Sequence, residues 1–322
     1  MASPSPPAGA RPQPPANTAS TERTPVLVAV ADPAQAEDLL AALMAAAPHV
    51  EPVPYRREMS DAKLAHIACA LAWRMPTGLA ERMPALRWVC ATGAGVDKLL
   101  VPKLPERVLV SRVVDPEQAA GMAQFAALMV LRHARGLPGY EAQQRERRWR
   151  RHAIAAARHR VLVLGRGEVG QAVAEALTAL GFMVSAWHRQ AGSLLSLLSR
   201  ADITVNTLPL TPETSGLLDA AAFAAMPPGA YLVNLARGGH VIEPDLIGAV
   251  MSGHLAGAAL DVQEHEPMQA DDPLWSVPGI AITPHIAAQP SWRTVAQQFA
   301  LSLALVQRGE LPAHRVDRGR GY

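Results

Sequence analysis

The sequence predicts an α/β fold of two doubly wound, parallel-sheet domains with a cleft between them. Three observations predict it. Short apolar runs alternate with helix-like stretches along nearly the whole chain, the pattern of parallel sheets with crossover helices. One such run, "VLVLG", leads into "RGEVG" and completes G-x-G-x-x-G at Gly165, Gly167 and Gly170. The length of 322 residues, with 49% apolar and 18% charged content, suits two packed cores better than one.

The elements follow in chain order. The start, "MASPSPPAGARPQPPANTASTERT", lacks the apolar region of a secretory signal and reads as a disordered leader over residues 1–24. "VLVAVAD" is a short buried strand. "PAQAEDLLAALMAAAP" is a helix with Pro33 in its first turn and Pro48 at its stop. "LRWVCATGAGVD" is a strand running into a glycine loop. A long helix spans roughly Pro116 to His133, apolar at "MAQFAALMVL". The stretch "RERRWRRHAIAAARHR" then holds seven arginines and one acid. Trp149 is its one aromatic, so it lacks the interleaved rings of a base-stacking surface and reads as a solvated helix end and connector.

Alternation then resumes. "RVLVLG" is a strand, "EVGQAVAEALTALG" a helix closed by Gly181, and "FMVSAW" a strand. "SLLSLLSR" is a short helix; "ITVNTLPL" and "AYLVNLA" are strands. "EPDLIGAVMSG" is a helix with Pro244 near its start, and "LAGAALDV" and "GIAITP" are the last two strands. Six strands with intervening helices make a Rossmann-like sheet. The expected division is 25–108 with 288–322 for a smaller domain, and 109–287 for a dinucleotide-binding domain.

Composition excludes several classes. A net charge of +2 is too small to imply a nucleic-acid partner. No uninterrupted apolar run is long enough to span a membrane. Cys69 and Cys90 are far apart and offer neither metal-ligand spacing nor a disulfide framework, so no metal is expected and a reducing cytoplasm is the expected location.

The glycine loop carries specific physics. Gly165 permits a tight turn, Gly167 lets a pyrophosphate approach the backbone, and Gly170 lets the helix pack close to the strand. N–H groups at the helix N-terminus then face the phosphates, while Glu168 points to solvent and favours the dipole. NAD-binding sheets carry an acid about 20 residues further on for the ribose diol. Here the next strand ends "SAWHRQ", with His188 and Arg189, and no carboxylate lies between Glu175 and Asp202. An arginine pairs with a 2′-phosphate through two points, which predicts NADP(H), with NAD(H) as the lesser possibility.

Three chemically different groups follow successive strand ends: Arg237 after "NLA", Asp261 and Glu266 in "ALDVQEHEP", and His285 after "ITP". Ligands of open α/β sheets bind there. Taken alone, His285 reads as a histidine that packs or hydrogen-bonds in a turn; beside a dinucleotide loop, an arginine and a carboxylate, it reads as an acid–base group.

On these residues the chain resembles the D-isomer-specific 2-hydroxyacid dehydrogenases. The matching stretches are "LGRGEVG", "NTLPLTPETSGLL", "GAYLVNLARGG", "AALDVQEHEP" and "DDPLWSVPGIAITPHIAA", and "LRWVCATGAGVDKLL" resembles the family's substrate loop. The branch it resembles is glyoxylate/hydroxypyruvate reductase.

The resemblance implies a flavodoxin-like substrate domain and a Rossmann cofactor domain. It implies that Arg237 clamps the substrate's carboxylate and keto oxygen, that His285 gives a proton to that oxygen as hydride arrives, and that Glu266 orients His285. Backbone N–H groups at Ala94 and Gly95 would hold the carboxylate. Arg166, Glu168, Val169, Leu208 and Pro209 would belong to the cofactor site. Asp261 and the Ala236 carbonyl would position the nicotinamide carboxamide, with a turn-forming role as the competing reading of Asp261. Trp73 and Met75 in "LAWRMP" either line the substrate pocket or belong to the core.

The implied reaction is NADPH-dependent reduction of a small 2-keto acid, by a homodimer joined near Met122 to Arg132. Rival readings are a dinucleotide-sensing corepressor on the same fold and a dehydrogenase for another 2-hydroxy acid. Formate oxidation ranks low, because that branch carries glutamine where Glu266 stands.

Overall fold

Eleven strands of the computed structural model form two parallel sheets among its described residues, 23–30, 32–100, 104–151 and 159–322. The expected leader, except Arg23 and Thr24, and much of the arginine-rich connector lie outside those residues. In chain order the first part runs β1 (Thr24–Ala29), α1 (Pro33–Ala46), β2 (Val50–Pro54), α2 (Asp61–Leu64), β3 (Cys69–Ala72), β4 (Trp88–Ala91), α3 (Asp97–Leu100) and β5 (Leu109–Ser111). Two helices follow, α4 (Pro116–Ala134) and α5 (Leu137–Arg145). The second part runs β6 (Arg160–Leu164), α6 (Glu168–Ala179), β7 (Met183–Trp187), α7 (Leu194–Leu198), β8 (Ile203–Asn206), α8 (Ala220–Ala225), β9 (Ala230–Asn234), α9 (Glu243–Met251), β10 (Leu255–Leu260) and β11 (Ile280–Ile282). The last helix is α10 (Trp292–Gln307).

The first sheet has the order β2-β1-β3-β4-β5, the flavodoxin-like arrangement. The second has the order β11-β10-β9-β8-β6-β7, so strand order reverses at β6. A crevice opens outside the carboxyl ends at such a point, next to the glycine loop. Strands buried on both faces read as continuous apolar runs because alternate residues serve opposite cores. Leu27, Ala70 and Val89 face one core, and Val26, Leu71 and Trp88 face the other. In the second sheet Leu162 and Leu232 face α8 and α9, while Val161 and Val233 face α4 and α6.

The sheets do not divide quite where expected. Leu109–Ser111 pairs with β4, so the first sheet runs on to Ser111, past the expected boundary at 108. The chain then crosses, and α4 packs on α6 through Ala123, Ala126 and Val130. It crosses back before α10, whose Phe299 stacks on Trp88 with ring centroids 4.7 Å apart. After α10 the chain returns to β5, where Val316 N donates to the Val110 carbonyl at 2.8 Å. Arg318 donates to the carbonyls of Leu104 and Pro105.

Both crossings meet at Asp115, which is 5% exposed. Its Oδ1 caps α4 by accepting from Glu117 N, and its Oδ2 accepts from Ser291 N at 3.0 Å, at the start of α10. Gln298 of α10 pairs with both backbone groups of Val114. The cysteines Cys69 and Cys90 are buried and free, and burial pushes their thiols up to about 11 and about 12.

Near the end of α4, His133 stacks on Tyr231 of β9 with centroids 4.1 Å apart. Burial, then the charge of His159, pushes the His133 imidazole down to about 4. The unfolded chain takes up this proton near pH ~6.5. This contribution to stability is therefore complete above that pH and is lost as pH falls toward 4. We predict a loss of roughly 3 kcal/mol at most across that window. Urea unfolding at pH 7 and pH 4.5 checks it, since His133→Phe keeps the stack and flattens the difference.

Candidate active site

The loop after β6 fits a pyrophosphate on steric grounds. Gly165 turns at φ +111°. A Cβ on Gly170 would stand 2.3 Å from the Gly165 carbonyl oxygen, a backbone atom that cannot give way. A Cβ on Gly167 would meet nothing within 4 Å. No side chain caps α6, so the N–H groups of its first turn stay free to face a cavity of about 550 Å³. Gly167, Glu168, Val169, Leu208 and Pro209 line this cavity. Gly165 lies beneath it, and Arg166 is exposed beside it.

His188 and Arg189 lie outside the cavity, in the turn after β7, with Arg189 exposed. The charge of Arg189 reaches an acid, Glu213, although no ion pair joins the two among the described residues. A hydrogen bond from Thr211 holds the Glu213 carboxyl below its ordinary range, and the Arg189 charge adds to this.

The same cavity is lined by Trp73, Ala94, Gly95, Arg237, Asp261 and His285. Of the "LAWRMP" pair, Trp73 stands in the cavity, whereas Met75, 1% exposed, belongs to the first core. The strand ends therefore bring the expected groups together. His285 Nδ1 stands 3.0 Å from Glu266 Oε2. Burial pushes the Glu266 carboxyl up, but the hydrogen bond and charge of His285, with Lys98, outweigh it and hold the carboxyl below its ordinary range.

Asp261 shapes the turn that carries His285. It is 1% exposed; its Oδ1 accepts from Thr283 Oγ1 at 2.6 Å and Ile286 N at 2.9 Å, and its Oδ2 from Ala287 N at 2.9 Å. The turn-forming reading of Asp261 thus describes its contacts. His285 itself has φ +56°, left-handed backbone that a non-glycine residue seldom adopts.

Arg237 departs from the expected free fork. Its Nε donates to Asp97 Oδ1 at 2.9 Å, and its Nη1 to the Ala236 carbonyl at 2.7 Å. Its Nη2 presses on Gly95, where a Cβ would come within 1.7 Å. Behind it the Arg237 carbonyl accepts from Asn234 Nδ2 at 3.0 Å and faces the buried His240 Nδ1 at 3.0 Å.

Several residues here escaped the sequence reading. Asp97 and Lys98 close "GAGVDK", a stretch whose sequence reading gave roles to Ala94 and Gly95 and none to these two side chains. Lys98 Nζ stands 3.6 Å from Glu266 Oε2. Gly321 and Tyr322 wall one side of the cavity, and a Cβ on Gly321 would come within 3.2 Å of Thr211 across the cleft. Among the described residues no group of three His, Cys, Asp or Glu side chains is placed to hold a metal ion.

The chain is similar to several known proteins. The family described as D-isomer specific 2-hydroxyacid dehydrogenase, NAD binding domain, matches residues 127–287. Glyoxylate/hydroxypyruvate reductase A of Serratia proteamaculans is 37% identical over 272 residues, covering 79% of this chain and 87% of that one. A D-isomer specific 2-hydroxyacid dehydrogenase from Xanthobacter autotrophicus Py2, solved with NADPH and MES, is 38% identical with a TM-score of 0.84 over 94% of this chain and 100% of that chain. The NADPH-dependent glyoxylate/hydroxypyruvate reductase of Sinorhizobium meliloti, solved with NADP and sulfate, is 32% identical with a TM-score of 0.86 over 93% and 100%.

The glycine contacts give a paired prediction. Gly170→Ala destabilises the protein by about 1–3 kcal/mol, because its methyl group would strike backbone. Gly167→Ala, with open space, stays within about 1 kcal/mol of the parent. Urea unfolding of the two variants checks the contrast.

Proposed function

The chain belongs to the D-isomer-specific 2-hydroxyacid dehydrogenases, a family of oxidoreductases, and from that premise we propose that it reduces a small 2-keto acid, glyoxylate or hydroxypyruvate, to the 2-hydroxy acid with NADPH. The observation that carries this reading is the His285–Glu266 pair at 3.0 Å, whose imidazole lines the cavity shared with Arg237 and the α6 glycine loop.

When bound, the reduced nicotinamide supplies the hydride that adds to the keto carbon. His285 supplies the proton. Its Nδ1 is turned to Glu266, so Nε2–H is the donor to the keto oxygen, and the Glu266 carboxylate stabilises the imidazolium before transfer. Arg237 holds the substrate carboxylate end-on through Nη2, beside the N–H groups of Ala94 and Gly95. Its Nε stays with Asp97, which fixes the plane of the guanidinium. The N–H groups of α6 and the wall of Leu208 and Pro209 hold the dinucleotide. Arg189 stands at the end of the strand next to β6 and takes the 2′-phosphate. The Xanthobacter and Sinorhizobium structures, solved with NADPH and NADP, support this choice of cofactor. The reading includes a homodimer around α4, supported by the exposed Leu128 there and Leu137 of α5.

Two experiments test it. His285→Ala lowers turnover by about 10²–10⁴-fold, read as NADPH absorbance at 340 nm with glyoxylate, and leaves NADPH affinity within a few-fold. Comparable losses in both would mark a structural histidine, and no decay in the parent enzyme with any 2-keto acid would end the reading. Arg189→Asp moves cofactor preference toward NADH; an unchanged ratio of KM values removes Arg189 from the cofactor site.

A further inference from the structure

Lys98 stands on the first domain, in α3, and Glu266 on the second, after β10. Its ammonium lies 3.6 Å from Glu266 Oε2, the same oxygen that meets His285 Nδ1 at 3.0 Å. One carboxylate oxygen therefore serves two nitrogen groups from opposite sides of the cleft. The side chains are 24% and 25% exposed, so the pair is less screened than one on an open surface.

Trp73 organises the surroundings. Lys98 Nζ sits 5.2 Å from its ring centroid, the Arg237 guanidinium carbon 5.7 Å, and the His285 ring packs edge-on at 6.0 Å. The charged groups around His285 are thus Glu266, Lys98 and Arg237, with Asp97 pairing Arg237 at 2.9 Å. Arg237 has an anion of its own. Among the described residues, Lys98 meets no carboxylate except the one that also serves the imidazole.

We propose that Lys98 is a positioning residue for proton delivery: by holding Glu266 from across the cleft, it sets the upper pH limit of keto-acid reduction. This rests on His285 as the proton donor. The sign follows from Coulomb's law. A fixed ammonium nearby disfavours the imidazolium directly and draws on the carboxylate that would stabilise it. Both effects oppose positive charge on the ring. Reduction, which needs the protonated ring, then ends at a lower pH than it would without the lysine. The reverse oxidation, which needs the neutral ring as base, gains by the same amount.

The test is the pH dependence of kcat/KM for glyoxylate with NADPH, followed at 340 nm between pH 5 and 10. Lys98→Met keeps the length and the packing on Trp73 and removes the charge; Lys98→Gln serves if that variant does not fold. The alkaline limb of the neutral variant moves up by about half to one pH unit, with the low-pH plateau within about threefold of the parent. Lys98→Arg keeps the parent's limb. A limb that stays in place or moves down overturns the proposal, as does a plateau or Tm loss with no movement of the limb. A parent enzyme that reduces no 2-keto acid at all overturns the functional reading first, so the two failures are distinguishable.

Discussion

A buried carboxylate that accepts from three donors underlies the geometry of this site. Asp261 directly follows β10, and no cation is paired with it among the described residues. Its partners are the Thr283 hydroxyl and two successive backbone N–H groups, Ile286 and Ala287. They bracket His285 and hold it in left-handed backbone, a conformation that costs a non-glycine residue roughly 1–2 kcal/mol. A carboxylate fully enclosed in hydrogen bonds can offset that strain, each bond to a charged group contributing about 1.5–3 kcal/mol. The parallel register, with Leu260 beside Ile282, puts the two strand ends side by side, so residues far apart in sequence meet without a long loop.

On this base the cleft is closed by charge. Asp97 and Lys98 are consecutive and of opposite sign, and each meets its opposite on the other domain, Arg237 and Glu266. Trp73 lies among these groups, within 6 Å of both cations. Behind Arg237, the Asn206–Asn234 pair and His240 anchor the backbone of its loop, so its guanidinium starts from a fixed root. Arg237, His285 and the glycine loop of α6 thus border a single cavity.

Much of this was legible in the sequence because it is local. Apolar periodicity marks the strands, and the residues just past a strand's carboxyl end point to a candidate site: Arg237, Asp261 and His285 stand there in the sequence, and the fold brings all three to one cavity. The three glycines carry their own steric logic. Contacts made by folding left no such sign. Lys98 looks like any solvated lysine until Glu266 is placed beside it, and the tail with Gly321 and Tyr322 carries no motif. Trp73 and Met75 show the limit within one short stretch: one enters the cleft and the other the core, a difference decided by the bend of the chain after β3. The boundary at 108 missed β5 because a three-residue strand, Leu109–Ser111, just before a crossing gives no period to read.

Asp115 has a consequence for motion. Both covalent crossings between the sheets are tied to this one side chain, Oδ1 at the start of α4 and Oδ2 at the start of α10. Two lengths of chain fastened at a single point act as a pivot. A rotation about it would carry α3, with Asp97 and Lys98, toward or away from Arg237 and Glu266.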